Sequence, residues 1–171
     1  MTRWIKKAAV TFAASTALLL AVCAAWPVLV LEVSLPKKGN QFVTGLRVNV
    51  GDPVLIQYRH SVELTQVEGL FAIGPESELM AVETRFESIG TGLPTSSPDR
   101  TMRRKGWGVV DENYRPVGPL RFYISSINKA RLCAAGHDLS IGGLDSGTLV
   151  QIRSYKTVQI LWMLRLRSAA A

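Results

Sequence analysis

"PVLIQYRHSVELTQVEGLFAI", Pro53 to Ile73, decides the fold. Val54, Ile56 and Tyr58 alternate with Leu55, Gln57 and Arg59, the period of two that belongs to a half-buried strand. After a polar interruption, apolar residues return at Val67–Ile73. Two such runs with a short polar spacer predict a β-hairpin. With Val62–Thr65 as a four-residue loop, Ser61 faces Gln66, Ile56 meets Phe71 and Val54 meets Ile73. On the other face Arg59 meets Glu68, an opposite-charge cross-strand pair. A slip of one residue would turn every side chain to the wrong face. His60 closes the apolar row opposite Val67, either as a core histidine satisfied by one hydrogen bond or as part of a site.

The rest of the body follows the same pattern. Leu79–Ser88 sets Met80, Val82, Thr84 and Phe86 against Glu83, Arg85 and Glu87. Further strands are expected at Leu120–Ile124, Ala130–Ala134 and Thr148–Ser154, with Thr157–Leu166 as a buried last strand and a membrane-surface segment over Thr157–Ser168 as the alternative. Turn signals lie between them at Gly74-Pro75, Asn128-Lys129, Gly136-His137 and Asp145-Ser146-Gly147. Short strands at this spacing predict an all-β fold, an antiparallel sandwich or partly closed barrel. Thr95–Pro119 shows no such period and reads as a long loop.

Upstream of the body lie Arg3, Lys6 and Lys7, then 24 residues without a charge, Ala8 to Leu31. A basic start before an apolar run predicts an N-terminal apolar helix that exports the remainder of the chain. Residues 1–31 are then a signal-anchor in the cytoplasmic membrane or a signal peptide cut near Cys23-Ala24-Ala25. Residues 32–168 form the β-rich domain facing the periplasm or cell exterior. Pro27 ends the helix in both cases. A lipid-attachment reading of Leu20-Ala21-Val22-Cys23 is weakened by bulky Val22. The two cysteines, Cys23 and Cys133, make no disulfide framework and no zinc-type pair. Without residues 1–25 the chain keeps 17 basic and 13 acidic side chains. That small excess, with no interleaved aromatic and basic residues, argues against a nucleic-acid partner.

Several side chains are candidates for chemistry. His60 with Glu63 or Glu68 offers nitrogen and oxygen donors of the kind divalent metals take, which would suit a metal-assisted hydrolase. Strand parity opposes it, because Glu68 shares a face with Arg59 rather than His60, and nothing brings His137 near. Ser61 beside His60 is no nucleophile–base pair, since neighbours on a strand diverge. Gly90 and Gly92 form either a plain loop or a nest of amides facing an anion. Arg103, Arg104, Lys105 and Trp107 form either a solvated loop or a docking point for anionic lipid or an acidic partner.

The block His60-Ser61-Val62-Glu63, with Glu68 downstream and then Gly90, Gly92 and Leu93, resembles a small bacterial family known as domain of unknown function 1850. The resemblance covers roughly residues 45–155, apart from the long middle segment. Members share an N-terminal apolar segment. They are encoded beside, or fused to, membrane subunits of TAXI-type TRAP transporters, and carry no assigned activity. The resemblance implies a membrane-tethered accessory or binding protein whose partners are the membrane, transporter subunits and a small anionic solute. His60, Ser61, Glu63, Glu68, Gly90 and Gly92 are its candidate binding residues. No cofactor, resident metal or catalytic residue is expected. A purely structural envelope protein is the alternative without a ligand, and it predicts no pocket around His60.

Overall fold

The computed structural model describes residues 2–87, 101–104, 107–141 and 143–170. Gly90, Gly92 and Lys105 lie outside them. The order is α1 (Thr2–Ala25), β1 (Pro27–Leu35), β2 (Gln41–Arg47), β3 (Pro53–Arg59), β4 (Gln66–Ile73), β5 (Leu79–Phe86) and β6 (Thr101–Arg104). Then come β7 (Trp107–Val117), β8 (Leu120–Tyr123), β9 (Arg131–Ala134), β10 (His137–Ser140), β11 (Leu149–Val158) and α2 (Gln159–Ala170). The strands make two antiparallel sheets, ordered β2-β1-β11-β8 and β10-β9-β3-β4-β5-β7-β6, and neither closes into a barrel. The chain divides into two compact units, Leu29–Tyr155 and the pair Met1–Val28 with Lys156–Ala171.

The switch from α1 to β1 is a switch of side-chain shape. α1 is rich in Ala and Leu, which lose little in a helix, whereas β1 reads PVLVLEVSL, with stiff Val residues that favour the pleated surface. The helix stops at Ala25, as Pro27 dictates, and β1 claims Pro27–Leu31 from the apolar run. Among the described residues, no helix is long and apolar enough to cross a membrane.

One core serves both sheets. Leu31, Val33, Val150 and Ile152 of the first meet Val54, Ile56 and Leu132 of the second, all buried. Removing such side chains from water is the main term holding the sheets together, about 1.5–3 kcal/mol for each one fully buried. On the opposite face of the first sheet Glu32 is fully buried. Its carboxylate accepts from Arg153 Nη2 at 3.1 Å and from the Tyr155 hydroxyl at 2.6 Å.

The structure corrects three expectations. The hairpin register is offset by two residues: Arg59, not Ser61, faces Gln66, Gln57 faces Glu68 and Ile56 faces Gly69. Each side chain keeps its face, but the expected Arg59–Glu68 and Ile56–Phe71 pairs do not form. The loop is six residues long because its middle coils into a turn rather than continuing the ladder. Second, the expected loop Thr95–Pro119 contains β6 and β7. β7 hides its period with a bulge: Arg115 faces Ala81 and Asp111 faces Glu83, so Glu112–Tyr114 oppose a single residue. Asn113 and Tyr114 both take positive φ there, 54° and 49°. Third, the last strand ends at Val158, and Gln159 onward is helix α2. The sequence turns at that point from Val, Tyr and Thr to Leu, Met, Arg and Ala, the better helix formers.

Candidate functional site

Where β8 ends the first sheet, part of the inner face of the second sheet is left open. In antiparallel pairs opposed residues share a face, so Ile56 and Tyr58 of β3, Val67, Gly69 and Phe71 of β4 and Thr84 of β5 lie on that one surface. They line a groove of about 540 Å³ with Leu120 and Phe122 of β8. The volume suits a small molecule, and ligand pockets of this kind have apolar walls with a few polar groups. Here those groups include Tyr58, Thr84, Ser125, Asn128, and His60 and Ser61 at the start of the loop.

The β3–β4 loop shapes the rim. The His60 amide donates to the Thr65 carbonyl at 2.8 Å, and the Leu64 amide returns to the His60 carbonyl at 2.9 Å. That closes one helical turn, which Leu64 ends at φ 55°. His60 caps the turn: its Nδ1 accepts the Glu63 amide at 3.2 Å. A neutral imidazole whose Nδ1 accepts must carry its proton on Nε2. The half-buried ring therefore brings a hydrogen-bond donor to the groove. Asn128 anchors the other wall. Its side chain accepts from the Ser125 amide and donates to the Tyr123 carbonyl, while its own carbonyl receives the Arg59 amide at 2.7 Å.

No Asp or Glu lines the groove, and its rim offers the donors Tyr58 and His60. Arg59 and Arg121 touch its edge, but by strand parity Arg59 shares the outer face of the second sheet with Gln66 and Glu68, and Arg121 the outer face of the first with Gln151. Arg59 Nε donates to the Leu64 carbonyl at 2.6 Å and Arg121 Nε to Gln151 Oε1 at 2.6 Å. Neither guanidinium pairs with a carboxylate among the described residues. Burial raises the Tyr58 hydroxyl above its ordinary value of 10.0, so it stays a neutral donor through the physiological range.

The sequence candidates separate. His60 and Ser61 line the groove, and Glu63 contributes its amide to the His60 cap. Glu68 is on the other face of the second sheet. There it accepts from Gln57 Nε2 at 2.7 Å and Gln66 Nε2 at 3.2 Å, and Arg85 Nη1 stands 3.8 Å away. His60 and Glu68 thus do not converge, and the trio His60, Glu63, Glu68 is not brought together as a metal or catalytic set. His137 sits on edge strand β10, paired with Ala134, which in turn faces Val54 at the far end of β3. Among the described residues no three His, Cys, Asp or Glu side chains are grouped to hold a metal. Arg103 and Arg104 belong to β6, and Trp107 begins β7 as the partner of Arg104, so all three lie on strands rather than in a loop.

Sequence reasoning missed Tyr58, Thr84, Phe122 and Asn128 as site residues. The sequence predicts β8 as a strand, but its place across the groove from β3, in the other sheet, is a long-range contact that no local spacing announces.

Comparison with protein families matches residues 54–141 to the model described as Domain of unknown function (DUF1850). No curated protein and no solved structure gives a match. The matched segment runs from β3 through β10 and so includes the hairpin, the His60 turn and β8. With just over half of its 171 residues matched, the chain belongs to the Domain of unknown function (DUF1850) family.

Proposed function

We propose that this is a membrane-tethered, extracytoplasmic binding protein that holds a small anion with an apolar body in the His60 groove. We read its two sheets as an open sandwich whose uncovered end is the binding site. One observation carries the ligand class: apolar walls of Ile56, Val67, Phe71, Leu120 and Phe122 meet a rim with the hydrogen-bond donors Tyr58 and His60 and no carboxylate. A monocarboxylate with an aliphatic or aromatic tail satisfies both halves. The tail replaces water on the walls, and the carboxylate takes hydrogen bonds from Tyr58 and His60. A structural protein has no need of such a groove. The family resemblance adds the setting, service to a TAXI-type TRAP transporter, by delivering the anion or by docking on a membrane subunit.

Calorimetric titration of the protein with aliphatic and aromatic monocarboxylates, each beside its neutral amide, tests the reading. The carboxylates should bind and the amides should bind at least tenfold more weakly. His60→Ala should cost about tenfold, the value of one hydrogen bond to a charged group. Equal binding of acid and amide, or indifference to His60→Ala, would refute it. Co-purification from native membranes tests the partner: recovery of no transport subunit would remove the transporter from the proposal.

A further inference from the structure

The net charge of +7 is concentrated in one of the two units. The unit of Met1–Val28 with Lys156–Ala171 holds Arg3, Lys6, Lys7, Lys156, Arg165 and Arg167, and none of the chain's 13 acidic residues. It therefore carries +6, and Leu29–Tyr155 carries +1. The same unit holds most of the large apolar side chains that face outward. On α1 these include Leu18, Leu19 and Leu20, just beyond it Trp26, and on α2 Ile160, Leu161, Met163 and Leu164. The helices touch, and the Gln159 amide at the head of α2 donates to the Trp26 carbonyl just beyond α1, at 2.9 Å.

α2 is not built for water. At about 100° per residue, Ile160, Leu161, Met163 and Leu164 spread over an arc of roughly 160°. Trp162, on the far side, is buried, 3% exposed. Arg165 and Arg167 follow within the next turn, with long stems that let a guanidinium reach a headgroup while its carbons stay in hydrocarbon. Twelve residues make about 18 Å of helix, well short of the roughly 30 Å hydrocarbon core. α2 therefore cannot span a bilayer, but its length and composition fit the boundary between headgroups and acyl chains.

We propose that α2 is a second membrane element, inserted beside α1 into the surface of an anionic bilayer. Leu161 and Leu164 face the acyl chains, and Arg165 and Arg167 meet lipid phosphates. The occupant of this face is lipid rather than protein because apolar exposure coincides with six basic residues and no acidic one in a single unit, and anionic lipid complements both. The protein then has two independent holds on the membrane, and α2 keeps its hold even where α1 is removed.

The test uses the full chain with Cys23→Ser and Cys133→Ala, and one cysteine introduced as Leu161→Cys, Leu164→Cys, Leu19→Cys or Ile127→Cys. All four positions are exposed, so an environment-sensitive fluorophore at each leaves packing intact. The labelled proteins are reconstituted with phosphatidylglycerol vesicles, with and without brominated acyl chains. Labels at 161 and 164 should be quenched by brominated lipid as strongly as the label at 19, while the label at 127 on the β-body should not. Quenching at 19 but not at 161 and 164 would overturn the proposal and leave the α1 tether standing. Labels at 161 and 164 shielded from both brominated lipid and aqueous iodide would mean that a second copy of the chain covers the face, which also overturns it. Neither result bears on anion binding in the groove.

Discussion

Gly69 and Gly108 pose one steric question in two surroundings. Both lie on the inner face of the second sheet, and at both a Cβ would run into a phenyl ring. At Gly69 it would come 2.8 Å from Cε2 of Phe71, which lines the groove and has open space beside it. At Gly108 it would overlap the ring of Phe86, which is fully buried with Val67 and Val110 and has no room to turn. Gly108→Ala should therefore cost about 1–3 kcal/mol, the usual result of overfilling a core. Gly69→Ala should cost under about 1 kcal/mol, with the ring swinging into the groove and weakening carboxylate binding. Urea denaturation measures both, and equal losses at the two sites would contradict this account. The sequence could not rank them, since each is only a glycine in a strand. Nor did it show that Glu68 belongs to a polar ladder with Gln57, Gln66 and Arg85. His60 was legible as an odd residue at the end of an apolar row, but the turn it caps was not.

At the level of elements, the β3–β4 hairpin shows what alternation determines and what it leaves open. An offset of two residues leaves every side chain on its expected face while changing every partner. Burial therefore enforces parity but not register. The loop decides register, and six residues with one at positive φ are harder to read than a two-residue turn. The difference can be measured with disulfides in a Cys23→Ser, Cys133→Ala background. Gln57→Cys with Glu68→Cys should oxidise readily, because directly opposed residues stand at about 4.5–5.5 Å between Cβ atoms. Arg59→Cys with Glu68→Cys should stay reduced, since diagonal neighbours at about 7–8 Å exceed disulfide reach. The opposite outcome would restore the four-residue loop and move His60 back into the ladder. Strands β3, β4, β5, β9 and the core of β11 were legible from period and turn residues. β7 was hidden by its bulge and by Pro116. β1 was hidden by the apolar run before it, and because burial on both faces erases alternation. The α2 sequence reads as strand because apolar residues on all sides carry neither period.

Across the whole molecule, the two ends of the β-body meet in the middle of the first sheet, where β1 lies between β2 and β11. The Glu32 carboxylate ties this junction to Arg153 and Tyr155, more than a hundred residues away in sequence, and the Arg153 guanidinium stacks 4.7 Å from the Tyr155 ring centroid. Contacts of such separation are costly in loop entropy and form late, so this bond reports on closure of the whole sheet rather than on one hairpin. A charge buried this deeply is held only by its partners. Glu32→Leu should cost about 3 kcal/mol, much of it from leaving Arg153 without its anion, and the loss is moderated because the Arg153 side chain is 35% exposed and can turn to water. If that reasoning is sound, the stability returns when the charge is also removed. Glu32→Leu with Arg153→Met should come within about 1 kcal/mol of the native protein, because a well-filled apolar pair replaces a buried ion pair at little cost. Chemical denaturation of the two single variants and the double variant decides the matter. A double variant no more stable than Glu32→Leu alone would mean that Glu32 matters through its tyrosine bond and its packing, and that the ion pair contributes nothing to closing the sheet.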